Sequence, residues 1–164
     1  MDNIVIEPFN GDQTVADAVA ALHLQIRQGQ REDGTSNYSE SKLYGSQADL
    51  KGMADFYVKP GGNFWIARDT ATGRIAGFIG LKCESEKAGV LKRLAVVPEY
   101  RRRGIARELV ETLISWARQH KFATITLGTG RHEKAHDLYI QAGFIDTGLS
   151  ENGNDYRMRL DFMK

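Results

Sequence analysis

The stretch "RLAVVPEYRRRGIARELVETLISWARQHKFATITLG" constrains the fold more than any other part of the chain. It passes from an apolar run through Pro98 and a basic turn into a helical pattern, with Ile105, Leu109, Val110, Leu113, Trp116 and Ala117 on one broad face, and ends in a second strand-like run. Strand, helix and strand in that order make a βαβ unit. Its two strands lie parallel in one sheet, because a crossover of this length is what returns the chain to the same direction.

The remaining patterns fill out that sheet. "NIVIEPF" reads as a strand closed by Pro8, and Val15, Ala18, Val19, Leu22 and Ile26 recur at amphipathic helical spacing in "DQTVADAVAALHLQIRQ". Residues 29–46 are polar and rich in turn formers, and a second, shorter helical stretch runs from about residue 47 to 57, where "KPGGN" breaks it. "FWIARDTATGRIAGFIGLKCE" gives two strands around the turn "DTATG", and "AGVLKRLAVV" a third, so three strands meander before the crossover. After it come a short helix, "EKAHDLYIQAG", ended by Gly143, and two strands, "FIDTG" and "DYRMRLDF". The expectation is an α/β (α+β) fold with a mixed, mostly antiparallel central sheet flanked by helices.

The chain has 164 residues, 41% of them hydrophobic, and neither repeat nor linker divides it. One domain over residues 1–164 suits that size, burying roughly 70% of the surface the unfolded chain exposes. Acids and bases nearly cancel to a net charge of +1, so the arginines are a local device and not part of a basic nucleic-acid-binding surface. Cys83 is the single cysteine, which leaves no disulfide or multi-thiolate metal site and fits a reducing cytoplasm. Neither a secretory leader nor an apolar run of membrane-spanning length is present, so no membrane partner is expected.

The basic turn sits where a helix begins. There the first N–H groups lack intrahelical partners and the peptide dipoles sum to roughly half a positive charge, an arrangement that stabilises phosphate. Gly104 has no Cβ to hold a phosphate off the backbone, Ala106 keeps the first turn open, and Arg101, Arg102 and Arg103 add charge-assisted donors. On spacing alone, a solvated basic loop explains the run equally well.

Two further observations decide between these readings. R-x-x-G-x-A, at Arg101, Gly104 and Ala106, follows "LAVVPEY", and "AHDLYIQAGF" at residues 135–144 lies downstream in strand-helix-strand context. The first closely resembles the acetyl-coenzyme A signature of the GNAT superfamily of N-acetyltransferases, and the second resembles that superfamily's A-x-x-L-Y-x-x-x-G-F motif. The resemblance spans about residues 64–160. It implies a direct acetyl transfer from acetyl-coenzyme A to a primary amine of a small molecule or peptide, with the coenzyme in a cleft between splayed strands and no metal. The alternative it leaves is a module that binds acyl-coenzyme A without turnover.

The resemblance also assigns roles. The N–H groups of residues 102–107, Ile105 and Arg107 included, would cradle the pyrophosphate, while the pantetheine amides would pair with the strand at Leu94, Ala95 and Val96. The backbone N–H of Leu94 would donate to the oxyanion, and Tyr139 would touch the coenzyme and protonate the leaving thiolate. Where many members carry a glutamate, four residues before Leu94, this chain has Val90. That leaves Glu84 or Glu86 from the preceding turn, a water chain, or no base at all. His132 stands where an asparagine often helps hold the coenzyme. The acceptor would lie between the first two helices, their polar connection and the loop before the last strand, where Asp146, Glu151 and Asp155 point to a cationic amine. Homodimers are frequent in the superfamily, and a homodimer is a state open to this chain.

Overall fold

A computed structural model describes residues 3–32, 47–130, 135–151, 153 and 155–162. The elements run β1 (Ile4–Pro8), α1 (Gln13–Glu32), α2 (Ala48–Lys51), a π-wound turn (Ala54–Val58), β2 (Asn63–Asp69), β3 (Ile75–Ser85), β4 (Ala88–Val96), a 3₁₀ turn (Pro98–Tyr100), α3 (Ile105–Gln119), β5 (Thr124–Gly130), α4 (Ala135–Ala142), β6 (Ile145–Leu149) and β7 (Asp155–Asp161). Each expected element is found. The stretch expected as one weak helix, near residues 47–57, is divided between α2 and the π-wound turn.

The seven strands form one sheet in the order β1-β2-β3-β4-β5-β7-β6. Every neighbouring pair is antiparallel except β4 and β5, which the α3 crossover joins in parallel. The sheet is therefore mixed, as the βαβ pattern within a meander requires.

Helices cover both faces of its first half, which is why β3 reads as a continuous apolar run and is buried from Ala76 to Leu81. On one face α3 buries Ile105, Leu109, Val110, Leu113, Ile114 and Ala117. Ile114 joins the expected stripe, and Trp116 lies at its edge, half-buried against the core, with its ring against Trp65 and His120, centroids 5.5 and 3.9 Å away. On the other face lie α1, α2 and the π-wound turn. Tyr57 packs edge-on to Phe64 at 5.0 Å, and His23 sits 6.2 Å from the ring of Phe78. A Cβ on Gly80 would meet the rings of Phe64 and Tyr57 at 2.8 Å, so the aromatic layer closes over this strand only because the residue is glycine.

Candidate active site

The parallel pair β4 and β5 is hydrogen-bonded only at its start, through Ala88 with Thr124, Gly89 with Ile125 and Val90 with Thr126. Past Val90 the strands part. The cause lies in β4: Phe78 stands opposite Ala95 and Gly80 opposite Lys92, so three steps along β4 match two along β3. The extra residue makes a β-bulge, and Arg93 takes it up in left-handed conformation at φ 65°. Bulges bend and twist the strand that carries them.

A cavity of about 890 Å³ opens in the gap. β4 contributes residues 90–94, β5 contributes Gly128 and Thr129, α4 Ala135 and Tyr139, and β7 Asp155 and Arg157; its roof is His23 and Arg27 of α1 with Asp49 of α2. Leu94 and Tyr139, which the resemblance pairs as oxyanion donor and proton donor, thus share one cavity. Tyr139 is 5% exposed, with its ring edge-on to Phe144 at 5.8 Å.

A polar cluster holds the bulge in place. The Arg93 guanidinium is bidentate on Asp49, Nη2 to Oδ1 at 2.8 Å and Nε to Oδ2 at 3.0 Å, and Tyr57 donates its hydroxyl to the same Oδ2 at 2.7 Å. Nη1 of Arg93 lies 3.2 Å from Nε2 of His23. Burial alone would push the Asp49 carboxyl up, but the hydrogen bonds from Arg93 and Tyr57 outweigh it and hold the group below the usual carboxylate range. Burial, followed by the charges of Arg93 and Arg27, brings His23 down to about 3, so the imidazole is neutral at pH 7. The Tyr57 phenol is pushed upward by burial and by the Asp49 charge, and keeps its proton.

These four residues escaped the sequence reading, although two signals were present. His23 falls on the apolar face of α1 between Val19 and Ile26, and Lys92-Arg93 interrupts an apolar strand with consecutive charges, as an extra residue in a pleat does.

The open edge of β4 leads from Leu94 through Ala95 and Val96 toward the start of α3. Gly104 caps that helix at φ 78°, and a Cβ built on it meets nothing within 4 Å. Arg102 is also left-handed, at φ 64°. Arg101, Arg102 and Arg103 are exposed; Arg101 donates to the Val96 carbonyl at 3.3 Å and the Arg103 guanidinium lies 5.3 Å from the Tyr100 ring centre. Ile105 is buried beneath, Ala106 is half-buried, and Arg107 is paired with Glu111 at 3.1 Å. Open space over a left-handed glycine at a helix start, ringed by guanidinium groups, fits a diphosphate.

Glu84 and Glu86 do not join this site. Both are exposed at the β3–β4 hairpin, in a separate depression with Pro60, Cys83 and His120. Six residues of extended β4 separate its start at Ala88 from Leu94, roughly 20 Å of strand, which puts the hairpin out of reach of the reacting atoms. His132 lies outside the described residues. Of the three acids expected to draw a cation, only Asp155 lines the cavity. Asp146 accepts from His136 at 2.8 Å, and this bond, with a second from the Gly148 N–H, holds its pKa down. Among the described residues no group of three His, Cys, Asp or Glu is set to hold a metal ion, and no helix is long and apolar enough to cross a membrane.

Residues 24–144 match the model of the Acetyltransferase (GNAT) family. An N-acetylaspartate synthetase of Rattus norvegicus is 31% identical over 118 residues, which is 70% of this chain and 38% of that protein. N-acetyltransferase 8 of the same organism is 32% identical over 120 residues, 70% of this chain and 52% of the other. The chain thus spans roughly two-fifths to one-half of the length of these relatives. Among solved structures, a GNAT-family acetyltransferase of Staphylococcus aureus Mu50 superposes with a TM-score of 0.77 at 23% identity, covering 96% of this chain and 98% of the other. The PaiA N-acetyltransferase of Thermoplasma acidophilum, solved with coenzyme A, gives 0.75 at 18% identity, over 96% of this chain and 99% of that one. At these identities the superpositions speak for the fold.

Proposed function

Because the chain belongs to the acetyltransferase (GNAT) family, we propose that it transfers the acetyl group of acetyl-coenzyme A directly to a primary amine of a small molecule or peptide. The observation that carries this reading is the placement of Leu94 and Tyr139 on one cavity, at the end of a strand edge that leads to the Gly104 turn. Acetyl-coenzyme A is long, anionic at one end and reactive at the other. The turn suits its diphosphate, the edge of β4 its pantetheine amides, and the cavity its thioester. That the named relatives are N-acetyltransferases supports nitrogen as the acceptor atom.

The chemistry divides among few groups. Attack of the amine on the thioester carbon builds negative charge on the carbonyl oxygen, which the N–H of Leu94 stabilises by hydrogen bonding. Collapse of that intermediate breaks the carbon–sulfur bond and the Tyr139 hydroxyl gives its proton to the departing thiolate, while the nitrogen sheds the extra proton it carried into the intermediate, which restores the phenol and leaves a neutral amide. The amine must arrive without its extra proton. His23 is a neutral imidazole lining the cavity, and is too weak a base to hold that proton. A chain with the single thiol Cys83 suits the reducing cytoplasm as its site of action.

Tyr139→Phe tests the reading. Turnover is expected to fall by about 10²- to 10⁴-fold with acetyl-coenzyme A affinity, measured by calorimetry, nearly unchanged. A domain that only senses acyl-coenzyme A would bind it equally well and turn over no amine in either form.

A further inference from the structure

The cavity wall holds a hydroxyl that the protein itself leaves unanswered. The buried polar groups of the roof serve one another, His23 and Asp49 both meeting Arg93. Thr129, in the wall near the end of β5, is 6% exposed, and its hydroxyl is hydrogen-bonded to none of the described residues. A hydroxyl kept from bulk water without a partner costs stability, and a group that enters the cavity relieves that cost.

The sheet determines which group that is. Ala88, Gly89 and Val90 of β4 pair with Thr124, Ile125 and Thr126 of β5. Carried forward with the one bulge residue, Arg93, left out, this register brings Leu94 level with Thr129, so the two face each other across the gap. The face is fixed as well. Thr129 pairs directly with Tyr156 of β7, whose ring lies 5.1 Å from that of His136 on α4. Its side chain therefore shares the α4 side of the sheet with Tyr139, whereas Asp155 and Arg157, one step either way along β7, stand on the opposite side with the roof. The acceptor enters beneath that roof. What lies level with Leu94 and on the side of Tyr139 is the thioester.

We infer that Thr129 is a second hydrogen-bond donor to the thioester oxygen, its hydroxyl on the β5 lip and the Leu94 N–H on the β4 lip holding that oxygen between them. A carbonyl oxygen has two lone pairs, and the Leu94 N–H occupies one. The thioester sulfur is a weak acceptor and is served by Tyr139, so the oxygen is the better partner for a hydroxyl. Thr129 gives up no proton; it donates a hydrogen bond and stays neutral throughout. Because β5 fixes its position, the bond strengthens as the oxygen gains negative charge, which lowers the barrier to attack.

This assignment rests on the acetyl-transfer reading, and its test tells the two failures apart. Infrared difference spectra of acetyl-coenzyme A, isotope-labelled at its thioester carbonyl and bound to the parent protein, Thr129→Val and Thr129→Ser, report hydrogen bonding to that oxygen directly. Valine keeps the branched shape and removes the hydroxyl. The carbonyl band is expected at lower frequency in the parent and the serine variant than in the valine variant, since a hydrogen bond to the oxygen weakens the double bond. Turnover is followed with the amine the parent uses best among free amino acids, short diamines and lysine peptides. It is expected to fall by about 10²-fold in Thr129→Val, the low end for an oxyanion donor removed, with coenzyme affinity by calorimetry nearly unchanged, and to return in Thr129→Ser. A valine variant with the parental band or the parental turnover, or one that loses coenzyme affinity in place of turnover, overturns the inference and leaves acetyl transfer standing. Thr129→Ala supplies the same comparison should the valine form not fold, and the band decides even where no amine is acetylated. Absence of acetyl-coenzyme A binding by the parent protein overturns the reading beneath it and the inference with it.

Discussion

His23 is 5% exposed beside Arg93, and its pKa in the folded protein is about 3, against about 6.5 in an unfolded chain. Between those values the unfolded state binds the extra proton, so stability rises with pH and is lost as pH falls from about 6.5 toward 3, by at most about 1.4 kcal/mol per unit. Urea melts taken from pH 7 to pH 4.5 are expected to show this slope, and His23→Gln to flatten it; a variant with the parental slope would place the acid sensitivity elsewhere. Asp49 acts lower down. Its folded pKa is depressed, so its contribution is present above the unfolded value near 3.9 and disappears as pH drops beneath it. Asp49→Ala strips both Arg93 and Tyr57 of their shared acceptor in a pair whose side chains are 24% and 12% exposed. A loss of about 3 kcal/mol in chemical denaturation is expected, the lower end for a buried pair broken on one side.

At the scale of elements, the bulge in β4 decides where the sheet opens. A non-glycine residue pays roughly 1 kcal/mol or more to adopt left-handed backbone, and Arg93 does so at φ 65° while its side chain holds Asp49. Replacing it separates the two effects. Arg93→Gly and Arg93→Ala both lose the ion pair, but glycine accepts the backbone angle, so it is expected to be the more stable variant by about 1 kcal/mol; equal stability would mean that the strand straightens once the pair is gone. Most elements could be read from the sequence because each is bounded by its own chemistry: Pro8 closes β1, "DTATG" turns β2 into β3, Pro98 stops the strand run and Gly143 follows α4. The bulge left one trace, the consecutive charges Lys92-Arg93, because the period of two is broken there by a residue whose reason lies 44 positions away in α2. Trp116 falls on the expected α3 face, at its edge, half-buried against the core with its ring on Trp65 and His120.

For the whole molecule, the site divides between what local sequence carries and what only folding assembles. The Gly104 turn and Tyr139 were readable because each belongs to a short contiguous motif. The acceptor cavity was not, because α1, α2, β4 and β7 each lend it one or two residues that are unremarkable in their own segments, and the acids of the loop before β7 look alike until His136 claims one of them. Ligand linkage gives a test at this scale. A ligand that binds only the folded state at a hundred times its Kd adds about 2.7 kcal/mol to stability, so acetyl-coenzyme A is expected to raise the melting temperature by several degrees. Gly104→Glu is expected to fold, since open space surrounds the site, at a cost from its positive φ, and to lose that shift through charge and bulk at the diphosphate position. A full shift in the variant would remove the anion site from the start of α3.

The three residue pairs that join β4 to β5 have a mechanical consequence. Strands β1 to β4 and strands β5 to β7 are two panels stitched along one short seam. Under a load that pulls the panels apart the tear starts at the unstitched end, and an elongated guest lying along the free edge of β4 acts as extra thread across it. Force spectroscopy would then register the coenzyme as a higher rupture force.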